Sequence, residues 1–107
     1  MTKYKVVISE AAEMDLNAIA EYYVVALQNL DGAVRLIGSL KEAVLSLAEM
    51  PERHQLVSDG YLATKGIRMF PVQKYLVFYT VNKPTCTVNI VRVLYEKREW
   101  KVLLKYN

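Results

Sequence analysis

The second half of the chain gathers the side chains best suited to chemistry: Arg68, Lys74, Arg92, Lys97 and Arg98, with Tyr95, Glu96 and Trp100 beside the last three cations. Guanidinium and ammonium groups stabilise negative charge on phosphate oxygens, and rings set beside cations suit the stacking of unpaired bases. Charge is divided unevenly along the chain. Met1 to Arg53 carries five Lys/Arg against eight Asp/Glu, a net of −3, whereas His54 to Asn107 carries nine against three, a net of +6. Such asymmetry fits a basic surface that meets a polyanion or an acidic partner that masks it, and equally a solvated surface with uneven charge.

Each candidate has a structural reading beside the functional one. Arg68 follows Ile67 in an alternating segment, where a solvent-facing charge is the alternative to a site cation. Lys74 opens a strand pattern, so it is either a contact residue or an edge charge that blocks sheet-to-sheet association. Arg92 says more, because alternation puts it on one face with Val88, Ile90 and Leu94. An unpaired charge on an apolar face is costly, so Arg92 is read as functional or partner-facing, with a paired structural role as the rival. Tyr95, Lys97 and Arg98 lie just past a strand end, where sites often collect. Trp100 either caps the core or joins that group. His54 is the single histidine, sits without a Ser, Cys or Asp motif, and reads as a surface residue. Cys86, the single cysteine, reads as a small core residue rather than a nucleophile; alone it makes no intrachain disulfide and no zinc site. Nothing in the sequence implies a metal or a cofactor.

These side chains need a scaffold, and the apolar periodicity supplies one. Lys3 to Ile8 alternates as a strand. Ser9 then caps a helix whose first turns hold Glu10, Glu13 and Asp15, favourable near the positive end of the helix dipole. Its stripe runs through Ala12, Leu16, Ile19, Tyr23, Ala26 and Leu30. Asp31-Gly32 is a tight polar break with Asp31 as the next cap, and a second stripe follows through Ala33, Ile37, Leu40, Val44 and Leu47, with Pro51 as the stop. So short a connection predicts an antiparallel helical hairpin from Ser9 to Met50. Pro51 to Lys65 has no clear period and reads mostly as loop. Gly66 to Phe70, Lys74 to Val81 and Cys86 to Tyr95 read as strands, with Asn82-Lys83-Pro84-Thr85 as the turn between the last two. Glu96 to Asn107 is either a short helix or a flexible end. The order β-α-α-β-β-β predicts an α+β fold: an antiparallel sheet packed against an N-terminal helical hairpin, with the first strand added at an edge.

The 107 residues make about one domain, and 53% apolar with 23% charged residues excludes a disordered or collagen-like chain. No apolar run reaches the roughly 20 residues of a membrane span, and MTKYKVVISE has no signal-peptide core. With one thiol and no membrane segment, a cytoplasmic protein is expected.

The segments KYKVVIS and AAEMDLNAIAEYY, the helix end LAEMP, then GIRMF, KYLVFYTV and VNIVRVLYEKREWKVLL together resemble, in order and over nearly the whole chain, the RelE/ParE toxin superfamily. The resemblance implies the toxin of a type II toxin–antitoxin (plasmid stabilization) system, held inactive by a cognate antitoxin whose helix and strand wrap it. Some members cleave mRNA, usually on the ribosome, and others poison DNA gyrase. Metal-free RNA cleavage needs a base for the 2′-hydroxyl, cations for the phosphorane and an acid for the leaving oxygen. Arg68, Arg92, Tyr95 and Arg98 are the candidates for such chemistry, with Lys74, Lys97 and Trp100 as candidates for target or antitoxin binding. Two departures from the nuclease branch stand out. The central-strand tyrosine, Tyr75, is followed by Leu76 where those relatives commonly carry Arg, and Tyr95 stands where a His often precedes the basic pair. The expectation leans toward a toxin without a complete nuclease site. A non-toxic member acting as a protein-binding module is the alternative.

Overall fold

The computed structural model describes residues 3–106; Met1, Thr2 and the last tail residue, Asn107, lie outside it. Strand β1 (Lys5–Ile8) leads into helix α1 (Glu10–Glu21), a π-helical turn (Tyr22–Ala26) and helix α2 (Leu30–Leu45). Short helix α3 (Gly60–Thr64), strands β2 (Arg68–Val72), β3 (Tyr75–Asn82) and β4 (Thr87–Tyr95), and helix α4 (Trp100–Lys105) complete the chain. The sheet order is β1-β4-β3-β2. The three later strands pair antiparallel as expected, but β1 joins the edge parallel to β4, so the sheet is mixed rather than wholly antiparallel.

Ser9 makes the strand-to-helix corner. Its Oγ accepts from the Ala12 amide at 3.0 Å as the N-cap of α1 and donates to the Val91 carbonyl at 3.0 Å. Opposite it, Phe78 pairs with Arg92 and Tyr79 with Ile90, which leaves Val91 without a partner across the ladder. This β-bulge resets the alternation of β4. Val93, not Leu94, therefore packs with Val88 and Ile90 in the first core cluster, against Leu16, Leu36, Leu40 and Val44 of the hairpin. Leu94 turns to a second cluster with Val57, Leu62, Ile67, Phe78 and Leu104, covered by α3 and α4. The shared face read for Val88, Ile90, Arg92 and Leu94 is thus broken between Ile90 and Arg92.

The bulge is also where α1 is held. Asp15 accepts from Arg92 Nε at 2.7 Å, from Arg92 Nη2 at 2.8 Å and from the Val93 amide at 3.0 Å. Both side chains are largely buried, at 11% and 16% exposure. Arg92 is therefore a paired residue of the scaffold, and the hydrogen bonds from Asp15 push its pKa further up.

The hairpin turns earlier than Asp31-Gly32. The π-helical turn closes with Leu27 N–H donating to the Tyr22 carbonyl at 3.1 Å, and Gln28 takes a positive φ of 48°. The first helix ends with this wider turn, so Ala26 is exposed at its end and Leu30, now the first residue of α2, is exposed too. Asn29, not Asp31, caps α2, its Oδ1 accepting from Gly32 N at 2.8 Å. A Cβ on Gly32 would lie 2.4 Å from Asn29 Nδ2, so any larger residue there requires the capping side chain to shift. Leu36 is buried in α2 where the stripe had Ile37, which is half-buried beside it.

The expected loop after Pro51 holds a 3₁₀ turn (Pro51–Arg53) and α3, which Asp59 caps through the Leu62 amide at 3.1 Å. Gly66, at φ 76°, ends α3 in the left-handed region. Lys74 lies in the turn between β2 and β3 rather than at a strand start, and the tail forms α4. Cys86 is a half-buried turn residue at φ 49°, not a core residue, because the hairpin turn extends through it and β4 begins at Thr87. His54 is half-buried: its ring stacks on Phe70 at 4.3 Å and meets Tyr79 edge-on at 6.3 Å, while Tyr79 Oη donates to the Pro51 carbonyl at 2.6 Å. Burial first, and Arg53 second, lower its pKa from 6.5.

Two outcomes follow from this packing. Asp15→Ala removes the carboxylate from the largely buried Arg92 guanidinium and is expected to cost about 3 kcal/mol in urea unfolding, whereas the double change Asp15→Leu with Arg92→Met costs clearly less. The folded chain takes up the His54 proton less readily than the unfolded chain, so this stabilisation is complete above the unfolded value of 6.5 and is lost as pH falls from there through the lower folded pKa. The thermal midpoint should drop over that acid window, and His54→Phe should remove that part of the slope.

Candidate functional site

The site grows out of the overhang of α1. Asp15 fixes α1 to β4, and the four residues Ala18, Ile19, Tyr22 and Tyr23 continue along the helix beyond that anchor. Facing them are Tyr75 at the start of β3 and Val93, Leu94 and Tyr95 at the end of β4, with Lys74 and Arg98 from the flanking turns. Between them lies a cleft of ≈ 560 Å³. The turn after β4 is tied back to the turn before β3, the Glu96 amide donating to the Lys74 carbonyl at 2.8 Å, and Arg98 N–H closes onto the Tyr95 carbonyl at 3.0 Å. Lys74 and Arg98 are both exposed.

Four tyrosines give the cleft its character. Tyr75 and Tyr95 meet edge-to-face at 5.8 Å, and Tyr22 and Tyr23 at 6.1 Å. Tyr75 is buried, and that burial, then the phenol of Tyr23 and its hydrogen bonding, push its pKa up to about 12. At neutral pH the phenol is a proton donor and holds its proton, so it offers a hydrogen bond rather than a base. The cleft therefore combines ring faces, hydroxyl donors, an apolar floor of Ile19 and Val93, and two cations. The carboxylate of Asp15 also lines it.

Three of the seven residues singled out from the sequence meet in this cleft: Lys74, Tyr95 and Arg98. The other four lie elsewhere. Arg68 on β2 donates to the His54 carbonyl at 2.7 Å and pairs with Glu52 at 3.3 Å, and Glu52 also holds Lys83 at 3.2 Å. Arg92 is held by Asp15 behind the cleft. Lys97 is exposed in the turn after β4. Trp100 packs on Phe78, ring centroids 5.2 Å apart, and closes the second cluster. Sequence reasoning missed Tyr22, Tyr23 and Tyr75 as a group; the adjacent pair Tyr22-Tyr23 was the available signal, hidden because Tyr23 fitted the core stripe. Asp15 read as a dipole residue, and nothing local distinguishes it from Glu10 or Glu13.

The family whose sequence model matches residues 6–100 is the ParE toxin of the type II toxin–antitoxin system parDE. Among solved structures, the chromosomal ParDE system of P. aeruginosa superposes with a TM-score of 0.72 at 18% identity, covering 89% of this chain and 98% of that one. The RelBE2 toxin–antitoxin complex of Mycobacterium tuberculosis gives 0.67 at 20%, covering 89% and 93%. A mutant of E. coli RelE in the free state gives 0.66 at 14%, covering 97% of each chain. No curated protein sequence matches the chain.

Tyr75→Phe removes the buried phenol from the Tyr23 contact while keeping the ring. An unfolding free energy lower by about 1 kcal/mol in urea denaturation is the expected result.

Proposed function

The chain belongs to the ParE toxin family of type II toxin–antitoxin systems, and on that premise we propose that it arrests growth by engaging a protein target, DNA gyrase, without cleaving RNA. The observation that carries this reading is that two of the three arginines with candidate roles in RNA cleavage, Arg68 and Arg92, are held apart in separate ion pairs. Arg68 is neutralised by Glu52 on one strand, and Arg92 by Asp15 beneath the helical hairpin. Leu76, where the nuclease branch commonly carries Arg, is half-buried against the second apolar cluster. A phosphorane needs cations converging on one oxygen pair with an acid and a base in reach. Here Arg68 and Arg92 are engaged by carboxylates at separate points, and in the cleft the buried Tyr75, its pKa pushed up to about 12, keeps its proton.

The antitoxin supplies the second half of the reading. Structures similar to this fold include toxin–antitoxin complexes. The cleft with Lys74 and Arg98 at its mouth suits an acidic, amphipathic segment of such a partner, whose carboxylates meet the two cations while its apolar side chains enter among the tyrosines. Among the described residues no helix is long and apolar enough to cross a membrane.

The test is induction of the chain with and without the neighbouring antitoxin gene, combined with mapping of transcript ends and a supercoiling assay on purified gyrase. Growth arrest relieved by the antitoxin, intact transcripts and blocked supercoiling are expected. New 5′ ends with unimpaired supercoiling would place the chain in the RNA-cleaving branch instead, and unchanged growth would remove the toxin mechanism altogether.

A further inference from the structure

The side of the sheet turned away from the hairpin carries cations that neither the core nor the cleft uses. Helices α3 and α4 cover the second apolar cluster, and Lys65, at the end of α3, joins Lys101 and Lys105 of α4 on their exposed surface. Each ammonium group is seated on a ring. Lys65 lies 4.9 Å and Lys105 6.0 Å from the centre of Tyr61, and Lys101 lies 5.6 Å from the centre of Trp100. Asp59, the cap of α3, steadies Lys105 at 3.3 Å. The Leu62 amide first, then Lys105 and Lys101, hold that carboxyl below its ordinary range, so both lysines of α4 act at one place.

We propose that this face holds the phosphate backbone of duplex DNA. Charge selects the class of partner. The hairpin from Glu10 to Leu45 carries six acidic and two basic residues, a net of −4, whereas residues 59–65 and 96–106 together carry five basic and three acidic residues, a net of +2. A polyanion is repelled by the first surface and drawn to the second. The rings select the form of that polyanion. Single-stranded nucleic acid is gripped by stacking its bases on open aromatic faces. Here ammonium groups stand over those faces, and Trp100 also packs on Phe78, so charge is what the surface offers. A duplex presents phosphates outward and keeps its bases inside.

Three lysines meet phosphates as point charges and read no bases, so the binding is independent of sequence. An acidic amphipathic segment is better served by the cleft, where Lys74 and Arg98 border an apolar floor of Ile19 and Val93. The inference deepens the proposed function and rests on it for the choice of DNA over duplex RNA: a toxin docked on gyrase sits beside the duplex that the enzyme holds. Contacts to enzyme and DNA at once then reinforce each other through effective concentration.

Fluorescence anisotropy of the chain with a short labelled DNA duplex of mixed sequence tests it, with circular dichroism to check folding and gyrase supercoiling measured alongside. A dissociation constant of about 10⁻⁵ M at physiological salt, weakening steadily as salt rises, is expected. Lys65→Gln, Lys101→Gln and Lys105→Gln should each weaken binding several-fold and reduce the salt slope by about 1, while Lys41→Gln on the hairpin does neither. No salt-dependent binding, or an equal loss in Lys41→Gln, overturns the proposal. Tighter binding of single-stranded or duplex RNA overturns it in favour of an RNA surface. Unchanged DNA binding in all three lysine variants, with the antitoxin released instead, assigns the face to the antitoxin. Supercoiling left unblocked by the wild-type chain removes the gyrase reading alone, because the anisotropy measurement contains no gyrase.

Discussion

Helix α1 is held to the sheet at one irregular point of β4, and the rest of the molecule is arranged by that hold. Val91 has no partner across the ladder, so the strand bends and its backbone groups turn toward the helix. Ser9 takes the Val91 carbonyl, and Asp15, less than two turns later, takes both the Val93 amide and the Arg92 guanidinium. A short apolar contact would let the helix slide or rotate. Two directional attachments six residues apart fix its register, its rotation and its direction across the strands. A buried ion pair gives little net stability over an apolar equivalent, yet it penalises every misaligned arrangement that leaves a charge behind.

Once that register is set, the two sides of the sheet take different roles. The hairpin side is a continuous aliphatic seam from α1 and α2 onto Val77, Val88, Ile90 and Val93. The opposite side is closed by α3 and α4 over Phe78, Leu94 and Leu104, with Trp100 and Leu76 against them. That side of the sheet is filled by apolar side chains. Its basic residues lie at the perimeter, where Lys65 and Lys105 approach the Tyr61 ring at 4.9 and 6.0 Å and Lys105 pairs with Asp59. Exposed pairs of this kind add little stability.

The hairpin carries two kinds of surface. Near the sheet, the cleft has ring faces, hydroxyls and cations, a mixture that discriminates by charge and hydrogen bonding. Farther out, the tip has exposed hydrocarbon without charge. Tyr22 stands at the border of the two, and the π-helical turn beside it sets which side chains belong to which surface.

Much of this fold was legible in the residues themselves. Alternation and four-three spacing are properties of short segments, and they located β1, the two helices of the hairpin and the later strands to within a few residues, while the ordered motifs carried the kinship. What the sequence could not contain is any event that depends on distant partners. The parallel pairing of β1, the bulge at Val91 and the seizure of Arg92 by Asp15, 77 positions away, are decided only when β4 and α1 meet. Local periodicity gave Arg92 an apolar face and gave Ala26 and Leu30 a place in the core. An unpaired residue in the ladder and an early helix end overruled both: the first shifts every later side chain of β4 by one position, and the second puts Leu30 at the start of a new helix. The gathering of Lys74, Tyr95 and Arg98 with Tyr22, Tyr23 and Tyr75 is of the same kind: composition supplied the groups, and the anchored angle of one helix brought them together.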